Sequence, residues 1–147
     1  RDGLPNPMQP VVRLSGRILQ VRELQADESI GYGATHVFKA PARTATISYG
    51  YADGYLRAIS THPAPPPTVT IATRQAPLVG RISMDLVTAD VSTIPPGEIE
   101  RGGWAELIGN TVGIDDLADS AGTIGYEILT SLGRRVHRIY LENGKAV

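Results

Sequence analysis

Hydrophobic positions early in the chain alternate with a period of two, the spacing of a half-buried strand. Val12, Leu14 and Ile18 share one parity, and Leu19 and Val21 share the other. A parity switch of this kind predicts a bend or bulge near Ile18. In RTATISY (43–49), Ala45, Ile47 and Tyr49 alternate with Thr44, Thr46 and Ser48, so a second strand is expected. TVTIAT (68–73) and WAELIG (104–109) read as short strands. APLVGRISMDLVTADVS (76–92) reads as a strand pair or one bent strand, with Ile82, Met84 and Leu86 facing one way and Val87, Ala89 and Val91 the other. THPAPPP (61–67) and IPPGEIERGG (94–103) are loops.

The period then lengthens. IDDLADSAG (114–122) predicts a short helix with acid in its first turn and glycine after its last. GYEILTSL (125–132) continues Ile124, Ile128, Leu129 and Leu132 at helical spacing, and RRVHRIYL (134–141) returns to strand with Val136 and Ile139. Short strands, Gly/Pro turns and two short helices predict a mainly β fold: a small β-barrel or Greek-key-like domain.

A chain of 147 residues fits one domain. At that size roughly 68–70% of the unfolded surface is buried, enough for a core without staples. Cysteine is absent, so there is no disulfide framework and no thiolate chemistry. The net charge of -1, with no basic run longer than two residues, argues against a nucleic-acid partner. No apolar run reaches the ~20 residues of a membrane span, and no signal peptide opens the chain. The Pro/Gly-rich start, RDGLPNP, reads as linker over residues 1–9, with the domain at 10–142 and a tail at 143–147.

Few residues announce chemistry. His36, His62 and His137 lack ligand spacing, so no metal site is expected. No phosphate loop opens a helix after a strand, and Ser83 lacks the nucleophile-elbow pattern. Asp115 and Asp116 read as a helix N-cap, and Arg134, Arg135 and Arg138 as a solvated strand face. The lysines are Lys39, read as solvated, and Lys145, near the terminus. The tyrosines are unusual: six of them, against one Phe and one Trp, which argues against their use as core filler. Tyr32, Tyr51 and Tyr126 each follow a glycine, and by composition alone they are turn or rim residues.

Four stretches together carry a resemblance: GYGATH, ISYGYADGYLR, PLVGRISMDL and TIGYEILTSLGRRVHRIY. They resemble the C-terminal domain of bacterial alanine racemase, a pyridoxal-phosphate enzyme, in the family's order and over about residues 10–142. The resemblance implies a preceding (β/α)8 barrel whose lysine carries the cofactor. It also implies a homodimer in which this domain closes the partner's site. Tyr32 matches the catalytic tyrosine, and Met84 matches the position whose backbone N–H binds the substrate carboxylate. Tyr51 matches the inner gate, while Arg57, Arg81 and Ile124 match positions along the access corridor. Tyr126 matches a tyrosine near the cofactor phosphate. His36 stands where the family often has an aromatic, and Gly31 where serine is common.

Racemisation takes a proton from one face of Cα and returns one to the other, so two bases on opposite faces suffice. A free phenol titrates at about 10, and a cation such as Arg81 would favour its phenolate. The resemblance implies a bacterial cytoplasmic enzyme making D-alanine, with this chain inert alone. A racemase of serine, lysine or a broader set of amino acids, and a non-catalytic dimerisation or binding domain, remain alternatives.

Overall fold

The computed structural model describes residues 10–61 and 67–147. The linker reading of residues 1–9, most of the Pro-rich loop and His62 lie outside these. The described strands of the first half are β1 (Leu14–Leu24), β2 (Ser29–Ile30), β3 (His36–Val37), β4 (Ala42–Ser48) and β5 (Thr68–Ile71). They are followed by β6 (Arg74–Pro77), β7 (Val87–Asp90) and β8 (Trp104–Ile108). Two helices, α1 (Ile114–Ala121) and α2 (Gly125–Ser131), precede a terminal pair, β9 (Leu141–Glu142) and β10 (Lys145–Ala146).

Six strands form one antiparallel sheet in the order β6-β5-β8-β1-β4-β7. Its two edges meet through a bridge between Leu78 and Ala89 and through the Val79 N–H donating to the Thr88 carbonyl at 2.9 Å. The sheet therefore curls into a small barrel, and the mainly β expectation with two short helices holds. This near-closure shortens the unpaired edges that an open sheet would leave.

The predicted bulge is present. The register of β1 on β4 shifts between Ile18 and Gln20. There the Ile18 backbone turns to the loop before β8, donating to Gly103 O at 2.9 Å and accepting from Gly102 N at 2.7 Å. Before the bulge Leu14, Gly16 and Ile18 point inward; after it Leu19 is exposed and Val21 half-buried. Ala45 and Ile47 of β4, Val69 and Ile71 of β5, and Ala105 and Leu107 of β8 fill the interior. Leu117 and Ala118 of α1 and Ile128 of α2 pack against the same core.

The Asp115–Asp116 reading is refined: Gly113 is the N-cap residue, and the Asp116 carboxylate accepts its N–H at 3.3 Å. Gly122 ends α1 in the left-handed region, at φ 69°.

Two strand expectations fail. Residues 76–92 are not a strand pair, because β6 ends at Pro77 and β7 starts only at Val87. Between them Gly80 adopts φ 71°, and Ser83 N donates to Leu86 O at 3.0 Å, making a loop. Ile82 is consequently buried while Met84 is exposed, so they do not share a face. RRVHRIYL is not a strand before Leu141. Arg138 bends that segment back by donating to the Leu132 and Gly133 carbonyls at 3.0 and 3.2 Å. The pair β9–β10 turns at Asn143 and Gly144, both at positive φ, as two-residue hairpin turns require.

Candidate active site

Tyr32 sits at the tip of a narrow hairpin. The two-residue strands β2 and β3 pair Ser29 with Val37 and Ile30 with His36. Phe38 is buried at the base of the hairpin, and His36 meets its ring edge to face at 4.7 Å. Between the strands Gly31 and Gly33 both adopt φ 75° and Ala34 adopts 49°. L-residues seldom enter this region, which is why the tip is glycine-rich. The result is a phenol that is 71% exposed.

The hairpin rests on the loop that carries Arg81 and Met84. A Cβ added to Gly31 would lie 3.4 Å from Arg81 N and 3.7 Å from Gly80 Cα. The same loop receives the turn of Tyr51: Tyr51 N donates to Ser83 O at 3.1 Å and Ala52 N to Met84 O at 2.9 Å. Gly50 is required there, because any Cβ would collide with the Met84 carbonyl. The Arg57–Ser60 helical turn joins the cluster through Ser60 Oγ, which accepts Ile82 N–H at 3.0 Å. Tyr32, Tyr51, Arg57, Arg81 and Met84, scattered over fifty-odd positions, are thus carried by four directly bonded or abutting segments. Among the described residues the Met84 N–H meets no acceptor.

Ile124 and Tyr126 are held differently. Both are exposed at the start of α2, Ile124 as its N-cap residue. The other end of α2 reaches the cluster, where Gly54 packs against the Ser131 carbonyl and Gly133 N donates to Asp53 O at 3.0 Å. Seven residues of helix separate the two ends by about 10 Å. No hydrogen bond links Tyr126 or Ile124 to Tyr32 among the described residues.

The idea that tyrosine is not core filler needs correction. Tyr49 and Tyr55 are buried and pack edge to face at 6.0 Å. Tyr49 Oη donates to the Asp53 carbonyl at 3.1 Å. Burial first, then the Asp53 carboxylate, pushes the Tyr49 phenol up to about 12, against an opposing pull from Arg138. Burial, with Tyr49 second, drives Tyr55 upward too. These two phenols stay neutral, and the accessible ones are Tyr32, Tyr51, Tyr126 and Tyr140.

Sequence reasoning missed the charges that brace this region. Arg135 Nε lies 3.2 Å from Asp53 Oδ1, and its Nη2 donates to Asp85 Oδ1 at 2.8 Å. Arg135 is exposed, as expected, but it lies on no strand and engages two carboxylates. The available signal was the position of the acids: Asp53 inside GYADGY and Asp85 directly after Met84. Among the described residues no three His, Cys, Asp or Glu side chains come together as a metal site would require. Nor is any helix there long and apolar enough to cross a membrane.

Residues 11–140 match the family model described as "Alanine racemase, C-terminal domain". The chain belongs to this family. It is 51% identical over 142 residues to an alanine racemase from Methylobacterium sp. (strain 4-46), covering 97% of this chain and 38% of that protein. A catabolic alanine racemase from Mesorhizobium japonicum is 44% identical, over 95% of this chain and 35% of its own length. Among solved structures, the alanine racemase of Bartonella henselae, with covalently bound pyridoxal phosphate, superposes with a TM-score of 0.85 at 38% identity. That superposition covers 93% of this chain and 37% of the other. An alanine racemase C-terminal domain thus spans little more than a third of the length of the curated relatives it matches.

Proposed function

We propose that this chain is the C-terminal domain of a bacterial cytoplasmic alanine racemase interconverting L- and D-alanine. In this reading Tyr32 is the base that serves one face of the substrate. The observation that carries it is Tyr32 itself: an accessible phenol on a left-handed, glycine-flanked turn, abutting the backbone of Arg81. A side chain held that far out has its partner elsewhere, and the reading puts that partner on the barrel of the other subunit in a homodimer.

Each residue then has a task. Tyr32 Oη accepts the Cα proton on one face or returns it, while a lysine of the barrel serves the opposite face. The Met84 N–H, free among the described residues, donates to the substrate carboxylate and fixes the orientation of Cα. Tyr51 narrows the inner gate, and Arg57, Arg81 and Ile124 line the corridor that leads to it.

The residues present suit a supporting role toward pyridoxal phosphate. Lys39 is exposed and faces Asp27 at 3.5 Å at the base of the hairpin, and Lys145 lies in the terminal pair, so neither suits covalent anchorage. The Tyr126 phenol, 79% exposed at the start of α2, is free to donate to the cofactor phosphate. When bound, the cofactor supplies the electron sink that makes the Cα proton acidic.

The test is Tyr32→Phe in the intact enzyme. A positioned acid–base group contributes roughly 10²–10⁴-fold, so racemisation in both directions falls by that order. Exchange of the Cα proton with solvent from one enantiomer survives through the opposite base. Unchanged racemisation would refute the assignment, and a kcat/KM for serine or lysine above that for alanine would change the substrate.

A further inference from the structure

Asp53 is the one charged residue that is buried among the described residues, only 8% exposed, and it belongs to the turn that carries Tyr51. Every polar part of it is used. One carboxylate oxygen accepts the Gly50 N–H at 3.0 Å and the other faces Arg135 Nε at 3.2 Å. Its carbonyl accepts from Tyr49 Oη at 3.1 Å and from Gly133 N at 3.0 Å. Arg135 then reaches across to a second loop, where Nη2 donates to Asp85 Oδ1 at 2.8 Å. Asp85 is the neighbour of Met84. One guanidinium therefore joins the two loops that present Tyr51 and Met84, alongside the hydrogen bonds from Tyr51 N and Ala52 N.

We propose that Arg135 is a positioning residue that sets the spacing between the Met84 N–H and the Tyr51 ring. It thereby governs how tightly the amino acid is held rather than how fast its proton moves. The inference rests on the reading of Met84 and Tyr51 given under Proposed function. Its physical basis is the shape of the group. An exposed ion pair contributes little to stability in itself. A planar fork engaging two carboxylates on different loops fixes their relative orientation, which a lysine ammonium does only as a point charge. The segment after α2 delivers Arg135 because Gly133 is tied to the Asp53 carbonyl, two residues before it.

The experiment compares wild type, Arg135→Met and Arg135→Lys in the intact enzyme by two readouts. The first is amide hydrogen exchange. In Arg135→Met the Tyr51 and Ala52 amides, which bond to the Met84 loop, exchange about tenfold faster. The amides of β4 and β5 keep their protection. The second is steady-state kinetics with alanine: KM rises about three- to tenfold and kcat falls by a smaller factor, the pattern of lost ground-state binding. Arg135→Lys, a point charge without the fork, recovers a small part of both the KM and the amide protection. Unchanged exchange at Tyr51 and Ala52 would overturn the clamp. An unchanged KM, with losses confined to kcat or thermal stability, would reduce Arg135 to a structural role and overturn the proposal. A wild-type enzyme that racemises no amino acid would sink the functional reading and the binding role together. Because exchange does not depend on activity, it separates that failure from a failure of the clamp.

Discussion

The Tyr49 phenol is buried, donates to the Asp53 carbonyl and is pushed from its ordinary 10.0 up to about 12. The fold thus favours the neutral phenol over the phenolate. The stability this contributes is fully present below pH 10 and is lost as pH rises through about 12. Thermal melting should accordingly be flat up to about pH 9 and fall steeply beyond 10, and Tyr49→Phe should flatten part of that fall. An equally steep fall in the variant would place its origin elsewhere. At Gly50 the prediction concerns space. Gly50→Ala drives a methyl into the Met84 carbonyl, a backbone group that cannot swing aside. Urea melts should show a loss of about 1–3 kcal/mol, and KM should rise because the Met84 loop moves. At this scale the sequence was readable where glycines flank a tyrosine, since the Tyr32 turn needs left-handed residues. Arg135 was not readable, because a guanidinium that bridges two distant loops looks, in one dimension, like any surface arginine.

Among the elements, α2 is placed in part by a small residue on a neighbouring turn. Gly54 adopts φ 101°, and a Cβ there would strike the Ser131 carbonyl at the end of the helix. Gly54→Ala combines strain with a clash. It should lower stability by more than ~1 kcal/mol, against the small gain a compatible glycine replacement brings, and loosen α2, seen as faster amide exchange at Ile128 and Leu129. Protection at α2 equal to wild type would count against that dependence. The strands that the pattern predicted well, β1, β4, β5 and β8, have one face on the core, so alternation reports burial directly. The segment 78–86 misled because Ile82, Met84 and Leu86 alternate by coincidence: Ile82 anchors the loop and Met84 is presented by it. Gly80 was the break in the pattern, and its left-handed φ decides the outcome.

Taken as a molecule, the domain leaves Tyr32, Tyr51, Met84, Ile124 and Tyr126 exposed, although its core is well buried inside a nearly closed barrel. Tyr32, Tyr51 and Met84 stand on abutting segments, and exposed apolar side chains brought together like this are what an interaction surface uses. Produced alone, the chain should bind a hydrophobic dye or self-associate weakly, and Tyr32→Ser with Met84→Ser should reduce both. A monomer silent toward the dye would contradict the idea of an uncovered interface. The central claim is that Tyr32 acts on the partner subunit's substrate, and hybrid dimers test it most directly. Intact enzyme carrying Tyr32→Phe is reassorted with intact enzyme whose barrel lacks the cofactor lysine, each parent being inactive. If the tyrosine acts in trans, each hybrid regains one complete site, and random reassortment restores roughly a quarter of wild-type alanine racemisation. If hybrids form and the mixture stays as inactive as its parents, Tyr32 does not serve the partner's site and the account is wrong.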